Sequence, residues 1–550
     1  MSVLLHNQVT QSAHRRPEAT ALVWNGARMT YGELDGASSQ LAQLLVDAGC
    51  RCGDRVGVLM TKRPQALLAM LGALKAGAVH VPLDPVDADA RLAPMLAAAD
   101  CRFILAAGHV GRLLEEALAA AQLPQPPLLG WLDSNAAGAT ALPLLFELSD
   151  LAAFPATPPI LVREPELAQI LFTAGTTAAP KAVMMTHAGV WEFVAWARAQ
   201  FGIDGTDRIS QHSPLRCDAA LFDVFGALSA GAQLHLVPSE LNLLPHRLTQ
   251  FIREHRLTQW LSVPSVLTQW EKFDALRQND FPSLRRLLFT GEAIPTPTLM
   301  YLMRRLPHVQ FTNLYGTAET SIASGFHTLA RPPRDEYEAV PLGAARAGQQ
   351  LHLLDEHLAP VADGDIGNLY IGGGGLSPGY WRDARSSLAT FVEIAPGQGR
   401  VERLCRTGDR ARRGADGQYY FCGRSEATIR TKGQLIDPAM IERVLHTLPE
   451  LLDAAIVGIP SSGFGGAMLC CAYVPSPGAE PRLEYLRAAL AERVPTHMLP
   501  VGWMRYEKLP RTPGGKLDRA LLAERFRRSG SASPMPERWA APAMASRATG

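Results

Sequence analysis

The chain has 550 residues, 47% of them hydrophobic and 19% charged, which is too long for one ordinary core and lacks the polar excess of a disordered protein. Its 53 Lys and Arg balance 52 Asp and Glu, so no global field favours nucleic acid, an anionic membrane or a highly charged substrate; any basic site has to be local. The eight cysteines, among them Cys50, Cys52, Cys470 and Cys471, form no matched CxxC pairs and read as reduced thiols rather than a zinc site or disulfide framework. The amino terminus has no long apolar stretch after a basic start, and Lys75 interrupts an apolar run. The reading is a cytoplasmic protein without an export signal or membrane span.

In chain order, Leu34 to Asp47 has helical periodicity and is followed by Gly49, Arg55 to Met60 is a short apolar run, and Pro64 opens a helix that stops at Gly77. Val79 to Leu83 reads as a strand. The alternation recurs with strands at Leu167 to Thr173, Gln233 to Val237 and Leu287 to Phe289 and a helix at Ala188 to Phe201, an α/β pattern of layered sheets covered by helices. Residues 107 to 165 have weak periodicity and are expected to wrap the surface. From Gly423 the pattern changes to a small α+β unit, with helices near Pro438 to Leu448 and Leu483 to Arg493 and apolar runs at Ala454 to Ile459 and Met468 to Val474. The expected organisation is a large domain over 1–424, a small one over 425–528 and a disordered, Pro-rich tail over 529–550.

The segment Phe172-Thr-Ala-Gly-Thr-Thr-Ala-Ala-Pro-Lys181 follows one of these strands and is read as leading into the helix after it. Hydroxyls of Thr173, Thr176 and Thr177, the loop amides and the Lys181 cation make a donor-rich cradle for a polyphosphate, and Gly175 permits an unusual turn. An ordinary polar strand-to-helix loop would have much the same composition. The segment is not a Gly-x4-Gly-Lys-Ser/Thr loop. It resembles the Thr-Ser-Gly-Thr-Thr-Gly-x-Pro-Lys-Gly signature of the acyl-adenylate-forming superfamily, with Ala174, Ala178 and Ala182 replacing a Ser and two Gly.

The resemblance continues in order along the chain. Met29-Thr-Tyr-Gly-Glu-Leu34 and Leu74 to Asp84 match two early signatures whose expected duty is packing. Asn313-Leu-Tyr-Gly-Thr-Ala-Glu319 resembles Asn-x-Tyr-Gly-Pro-Thr-Glu, which implies Tyr315 stacked on adenine, Asn313 on its edge, Gly316 among the ATP-binding positions and Glu319 on the magnesium of the triphosphate. Ala318 replaces a Thr expected near the α-phosphate. Gly291, Glu292 and Ala293 match the segment along the adenine face. Arg406-Thr-Gly-Asp409 resembles the signature whose Asp accepts both ribose hydroxyls, and Arg424 follows as a ribose or phosphate contact. Pro513-Gly-Gly-Lys-Leu-Asp518 assigns Lys516 to the reacting centre, where it contacts the substrate carboxylate and α-phosphate and offsets developing charge.

The resemblance is greatest to a stand-alone amino-acid adenylation domain of non-ribosomal peptide assembly, which uses ATP and Mg2+. In that family the small domain rotates on a hinge residue, here Glu426, and presents a thiol-tunnel loop, here Gly433. Beyond Lys516 only the tail remains, so the phosphopantetheine thiol is expected on a separate carrier protein. Cys217-Asp-Ala-Ala-Leu-Phe-Asp223 aligns with Phe-Asp-x-Ser-x-x-Glu and places Asp218 opposite an α-ammonium group. The implied pocket positions are Ala219, Phe222, Leu261, Leu288, Thr290, Leu314, Ile322 and Ala323, a lining suited to a neutral, small to medium aliphatic side chain. Alternatives are an acyl- or aryl-CoA ligase of the same fold and a non-catalytic nucleotide-binding descendant.

Overall fold

The computed structural model describes residues 3–85, 88–133, 140–159, 166–173, 180–397, 400–424, 429–431, 434–436, 438–461, 466–511 and 517–529. The chain divides into two compact units, the first running to Cys422 and the second beginning at Gly423.

In the first unit the helix Tyr31–Asp47 starts at a capping box, Thr30 accepting from the Glu33 amide while Glu33 accepts from the Thr30 amide. Pro64 occupies the first turn of the helix Pro64–Lys75. The two helices approach closely at Gly72, where a Cβ would lie 2.6 Å from Leu41. Between them Lys75 is buried, 2.7 Å from Asp35 Oδ1 and bonded to the hydroxyls of Ser38 and Ser39. The two early signature segments meet in this core, one supplying the Pro64–Lys75 helix end and the other leading into Asp35.

Two largely parallel sheets follow. One orders Phe146–Glu147, Leu128–Trp131, Phe103–Ala106, Arg55–Leu59, Val79–Leu83 and Leu167–Thr173 in parallel and ends on the antiparallel strand Lys181–Thr186. The other orders Gln310–Tyr315, Arg286–Thr290, Gln259–Ser262, Arg208–Gln211, Gln233–Leu236 and Thr20–Trp24 in parallel, with antiparallel strands at both edges. An antiparallel sheet contains Gln349–Leu354, Ile366–Gly373, Arg400–Arg413 and Phe391–Gly397. Parallel sheets place ligand-binding loops beyond the carboxyl ends of their strands. The segments bearing Asp218, Gly291 and Glu319 follow Arg208–Gln211, Arg286–Thr290 and Gln310–Tyr315 respectively, so all three leave the same edge of one sheet.

Two expectations change. Residues 107 to 165 are not mere surface wrapping: Leu128–Trp131 is a strand inside the first sheet with Trp131 buried, because a short apolar run needs only four residues to pair. The Thr/Gly-rich segment does not pass straight into a helix either. Lys181–Thr186 turns back as a strand against Leu167–Thr173, and the helix His187–Phe201 begins only after it.

The second unit pairs Leu451–Ser461 with Gly466–Pro475 antiparallel and adds Gly502–Arg505 in parallel. Helices Pro438–Leu445, Leu483–Ala491 and Arg519–Arg528 belong to it, in keeping with the α+β pattern. Arg519 reaches both oxygens of Glu442, which also accepts from the Ile456 amide. Among the described residues no helix is long and apolar enough to cross a membrane.

Candidate active site

Strand register assembles the acid side of the site. Leu261 lies opposite Leu288, and Thr290, two residues on and therefore on the same face, lies opposite Leu314. The helix Ala219–Ala230 lays Ala219 and Phe222 against this face. Ala219, Phe222, Leu261, Leu288, Leu314, Ile322 and Ala323 share one apolar cluster, with the Phe222 ring edge-on to Phe193 at 5.4 Å. Thr290 is buried as well. Asp218 stands half-buried at the N-terminus of this helix and accepts from the Ala219 amide at 2.9 Å. A small cleft of about 50 Å³, lined by Lys62, Asp84 and Arg216 among others, adjoins the segment that leads into Asp218.

On the nucleotide side, the Tyr315 hydroxyl donates to Asp409 Oδ2 at 2.6 Å, and both residues are buried. The residues expected at adenine and ribose are thereby brought into direct contact. Asp409 is held in turn by its amide on the Thr407 hydroxyl. Asn313 donates its side-chain amide to the Pro341 carbonyl at 2.7 Å, which fixes its orientation next to Tyr315. Gly291 has φ +87°, and the neighbouring Glu292 turns its carboxylate onto the Ser265 amide at the start of the helix Pro264–Lys272, so Glu292 contributes a helix cap there. Thr173 and Lys181 face each other across the antiparallel pair that flanks the Thr/Gly-rich loop. Glu319 is half-buried; its Oε1 accepts from the Tyr380 hydroxyl at 2.8 Å.

The two sides share a wall. A Cβ on Gly316 would lie 2.6 Å from both the Ala323 Cα and the Ile322 carbonyl oxygen, so only glycine fits. Ser321 and Ile322 take φ of +57° and +79° to make the turn. A β-branched residue in that region is an outlier, with a cost on the order of 1–3 kcal/mol.

Gly175, Thr176, Thr177, Glu426, Gly433 and Lys516 lie outside the described residues. Arg424 ends the strand Tyr419–Arg424, is exposed and falls in the second unit.

Other residues that shape the site have no motif to announce them. Lys62 is buried and donates to the carbonyls of Gln211 and His212 at 3.0 and 2.7 Å, while the buried Asp223 faces the amides of His212 and Ser213. The strand end leading to Asp218 is thus held by the Lys62 ammonium, with the Asp223 carboxyl buried close by. Burial pulls Lys62 down to about 8, opposed by Asp223, and pushes Asp223 well above the usual carboxylate range, opposed by Lys62. Arg346 is buried behind the pocket, donating to the Ala323 carbonyl at 2.7 Å and to Glu192. A buried polar residue of this kind reveals itself only through partners distant in sequence.

A family model described as AMP-binding enzyme matches residues 9–381, and one described as AMP-binding enzyme C-terminal domain matches residues 440–516. An L-proline--[L-prolyl-carrier protein] ligase of Streptomyces coelicolor is 32% identical over 512 residues, covering 89% of this chain and 91% of its own. A ligase of the same name from Pseudomonas fluorescens is 30% identical, covering 94% and 99%. A linear gramicidin synthase polypeptide of Brevibacillus parabrevis is 31% identical over 94% of this chain, but the chain spans only 6% of its length. Among solved structures, IdnL7 superposes with a TM-score of 0.78 at 27% identity over 96% of this chain and all of that one. The anthranilate CoA ligase AuaEII, at 19% identity and a TM-score of 0.83 over 96% and 99%, shares the fold. With its sheet-edge loops, its Tyr315–Asp409 contact and both family models matched in order, the chain belongs to the AMP-binding, adenylate-forming enzymes.

Proposed function

We propose that this protein uses ATP to activate a neutral, small to medium aliphatic amino acid as its aminoacyl-AMP, releasing pyrophosphate, and passes the acyl group to the phosphopantetheine thiol of a separate carrier protein. The observation that carries this reading is Asp218, a carboxylate at the head of a helix whose next turn and facing strands are apolar. A carboxylate beside such a lining recognises an α-ammonium group and leaves the side chain to apolar contacts, worth about 0.8 kcal/mol per buried methylene. Two relatives matched over most of both lengths are named for proline and a prolyl-carrier protein, which supports an amino-acid substrate and a carrier partner.

The chemistry needs no strong base, because the substrate carboxylate is ionised near neutral pH. Tyr315 and Asp409 hold adenine and ribose, and Thr173, Gly175, Thr176, Thr177 and Lys181 hold the triphosphate. Lys516, carried by the second unit acting as a mobile domain, aligns the carboxylate with the α-phosphorus for in-line displacement of pyrophosphate. Glu319 suits a magnesium ion: Tyr380 occupies one of its oxygens, and a single carboxylate completed by phosphate oxygens and water is the usual magnesium environment. That ion would neutralise charge on the triphosphate. A cytoplasmic setting fits the requirement for ATP.

Pyrophosphate exchange with a panel of amino, fatty and aryl acids, proline first among them, tests the reading. Exchange with a neutral aliphatic amino acid is expected. Exchange only with non-amino acids would make the protein an acyl- or aryl-CoA ligase, and ATP binding without exchange would make it non-catalytic.

A further inference from the structure

Residues 377–381 join two stations of the nucleotide site that lie far apart in sequence. At one end the Ser377 amide donates to the Glu319 carbonyl at 2.8 Å. At the other, Trp381 donates its amide to the Ala182 carbonyl at 2.7 Å and the Gly379 carbonyl accepts from the Met184 amide at 3.0 Å, so the segment lies along the strand that Lys181 begins. Arg403 fixes the middle from the antiparallel sheet, donating to the carbonyls of Ser377 and Pro378 at 2.8 and 3.0 Å. Tyr380 is the side chain through which this strap reaches the chemistry. Its hydroxyl donates to Glu319 Oε1 at 2.8 Å, and the Lys181 ammonium sits 5.1 Å from the centre of its ring. The ring is buried and rests near Phe391, so it has little freedom to swing.

We propose that Tyr380 is a positioning residue that sets the Glu319 carboxylate and the Lys181 ammonium at a fixed separation, matching one to the metal and the other to the phosphates of a single bound triphosphate. This rests on the ATP-dependent reading above. The hydroxyl occupies one carboxylate oxygen and so selects the lone-pair direction of the other, while the ring face holds a cation that would otherwise range over a flexible stem. Neither effect requires Tyr380 to touch the nucleotide.

The test compares the full-length protein with Tyr380→Phe and Tyr380→Leu. Calorimetric titration with a non-hydrolysable ATP analogue over a range of Mg2+ concentrations reads binding without turnover, and exchange assays read the KM for the amino acid. Tyr380→Phe removes the hydroxyl and keeps the ring. It should raise the Mg2+ needed for half-maximal nucleotide binding roughly three- to tenfold, less than the ten- to hundredfold of a charged hydrogen bond made to the ligand itself because Tyr380 acts through Glu319, with the amino-acid KM unchanged. Tyr380→Leu should also weaken binding of the analogue without Mg2+, because Lys181 loses its ring. A role in stability alone would lower activity without moving the Mg2+ midpoint; an unmoved midpoint in a folded Tyr380→Phe protein overturns the proposal and leaves the adenylation reading intact. A wild-type protein that neither binds the analogue nor exchanges pyrophosphate overturns both.

Discussion

On the acid side of the site, Leu261, Leu288, Thr290 and Leu314 are placed by strand register, and Phe222 and Ala219 by the packing of one helix; close packing sets their positions, and Asp218 supplies the charge. On the nucleotide side, Tyr315 is tied to Asp409, Glu319 to Tyr380 and Asn313 to Pro341, each by a side-chain hydrogen bond between distant segments. One half therefore depends on volume and the other on bond geometry. Substitutions should separate the two by which substrate they affect.

The largest effect is expected at Asp218. On the proposed reading, Asp218→Ala leaves the α-ammonium group without a counter-charge in an apolar setting, a loss of about 3 kcal/mol or roughly a hundredfold in kcat/KM for the amino acid. Analogue affinity measured without the amino acid should not change; a matching loss there would mean the halves are not separable. Asp409→Ala reverses the pattern. It removes the proposed acceptor of the ribose hydroxyls and frees Tyr315, so the KM for ATP should rise roughly ten- to a hundredfold, from about 1.5–3 kcal/mol of charged hydrogen bonding, while the amino-acid KM holds.

A smaller change on the acid side is expected at Lys62. Lys62→Met abandons two buried carbonyls at about 1–3 kcal/mol each and releases the strand end before Asp218. Denaturant titration should show the stability loss, and the amino-acid KM should rise a few-fold with the ATP KM unmoved. Unchanged kinetics would reduce Lys62 to a purely structural residue.

The least effect on catalysis and the broadest on stability comes from pH. Burial lowers His6, His212 and His235 to about 3 and His80 and His187 to about 4, all in the first unit. Above their ordinary value of about 6.5 both folded and unfolded chains hold them neutral. As pH falls from about 6.5 toward 4 the unfolded chain takes up protons that the folded one refuses, so stability is lost over that window. His446 and His497 of the second unit are only half-buried. Calorimetry at about pH 7.5 and about pH 5.5 should show the first unit's transition moving down further than the second's; equal shifts would contradict this assignment.

What is legible in the sequence follows the same division. Strands such as Val79–Leu83 and Leu167–Thr173 are readable because short apolar runs bounded by Gly or polar turns leave few alternatives, whereas the apolar pocket positions come from the family resemblance and not from any local pattern. The hairpin of Lys181–Thr186 escapes such a reading because Lys-Ala-Val-Met-Met-Thr runs directly into a helical pattern with no Gly or Pro between them. Tyr380, Arg346 and the Lys62 grip are invisible because each acts through partners that only the fold brings near. Glu292 shows the converse, since its motif is plain in the sequence while its side chain serves a helix end.

The Gly316 crossing has a consequence for how such a protein can change over time. With the backbone of Ile322 and Ala323 pressed against Gly316, any backbone shift that admits a different side chain at either position is passed to the turn that follows Tyr315. Leu261 lies two strands away from that turn. On the proposed reading, drift toward a different amino acid is therefore freer at Leu261 and slower at Ile322 and Ala323, where a backbone shift also reaches the turn beside the proposed ATP site.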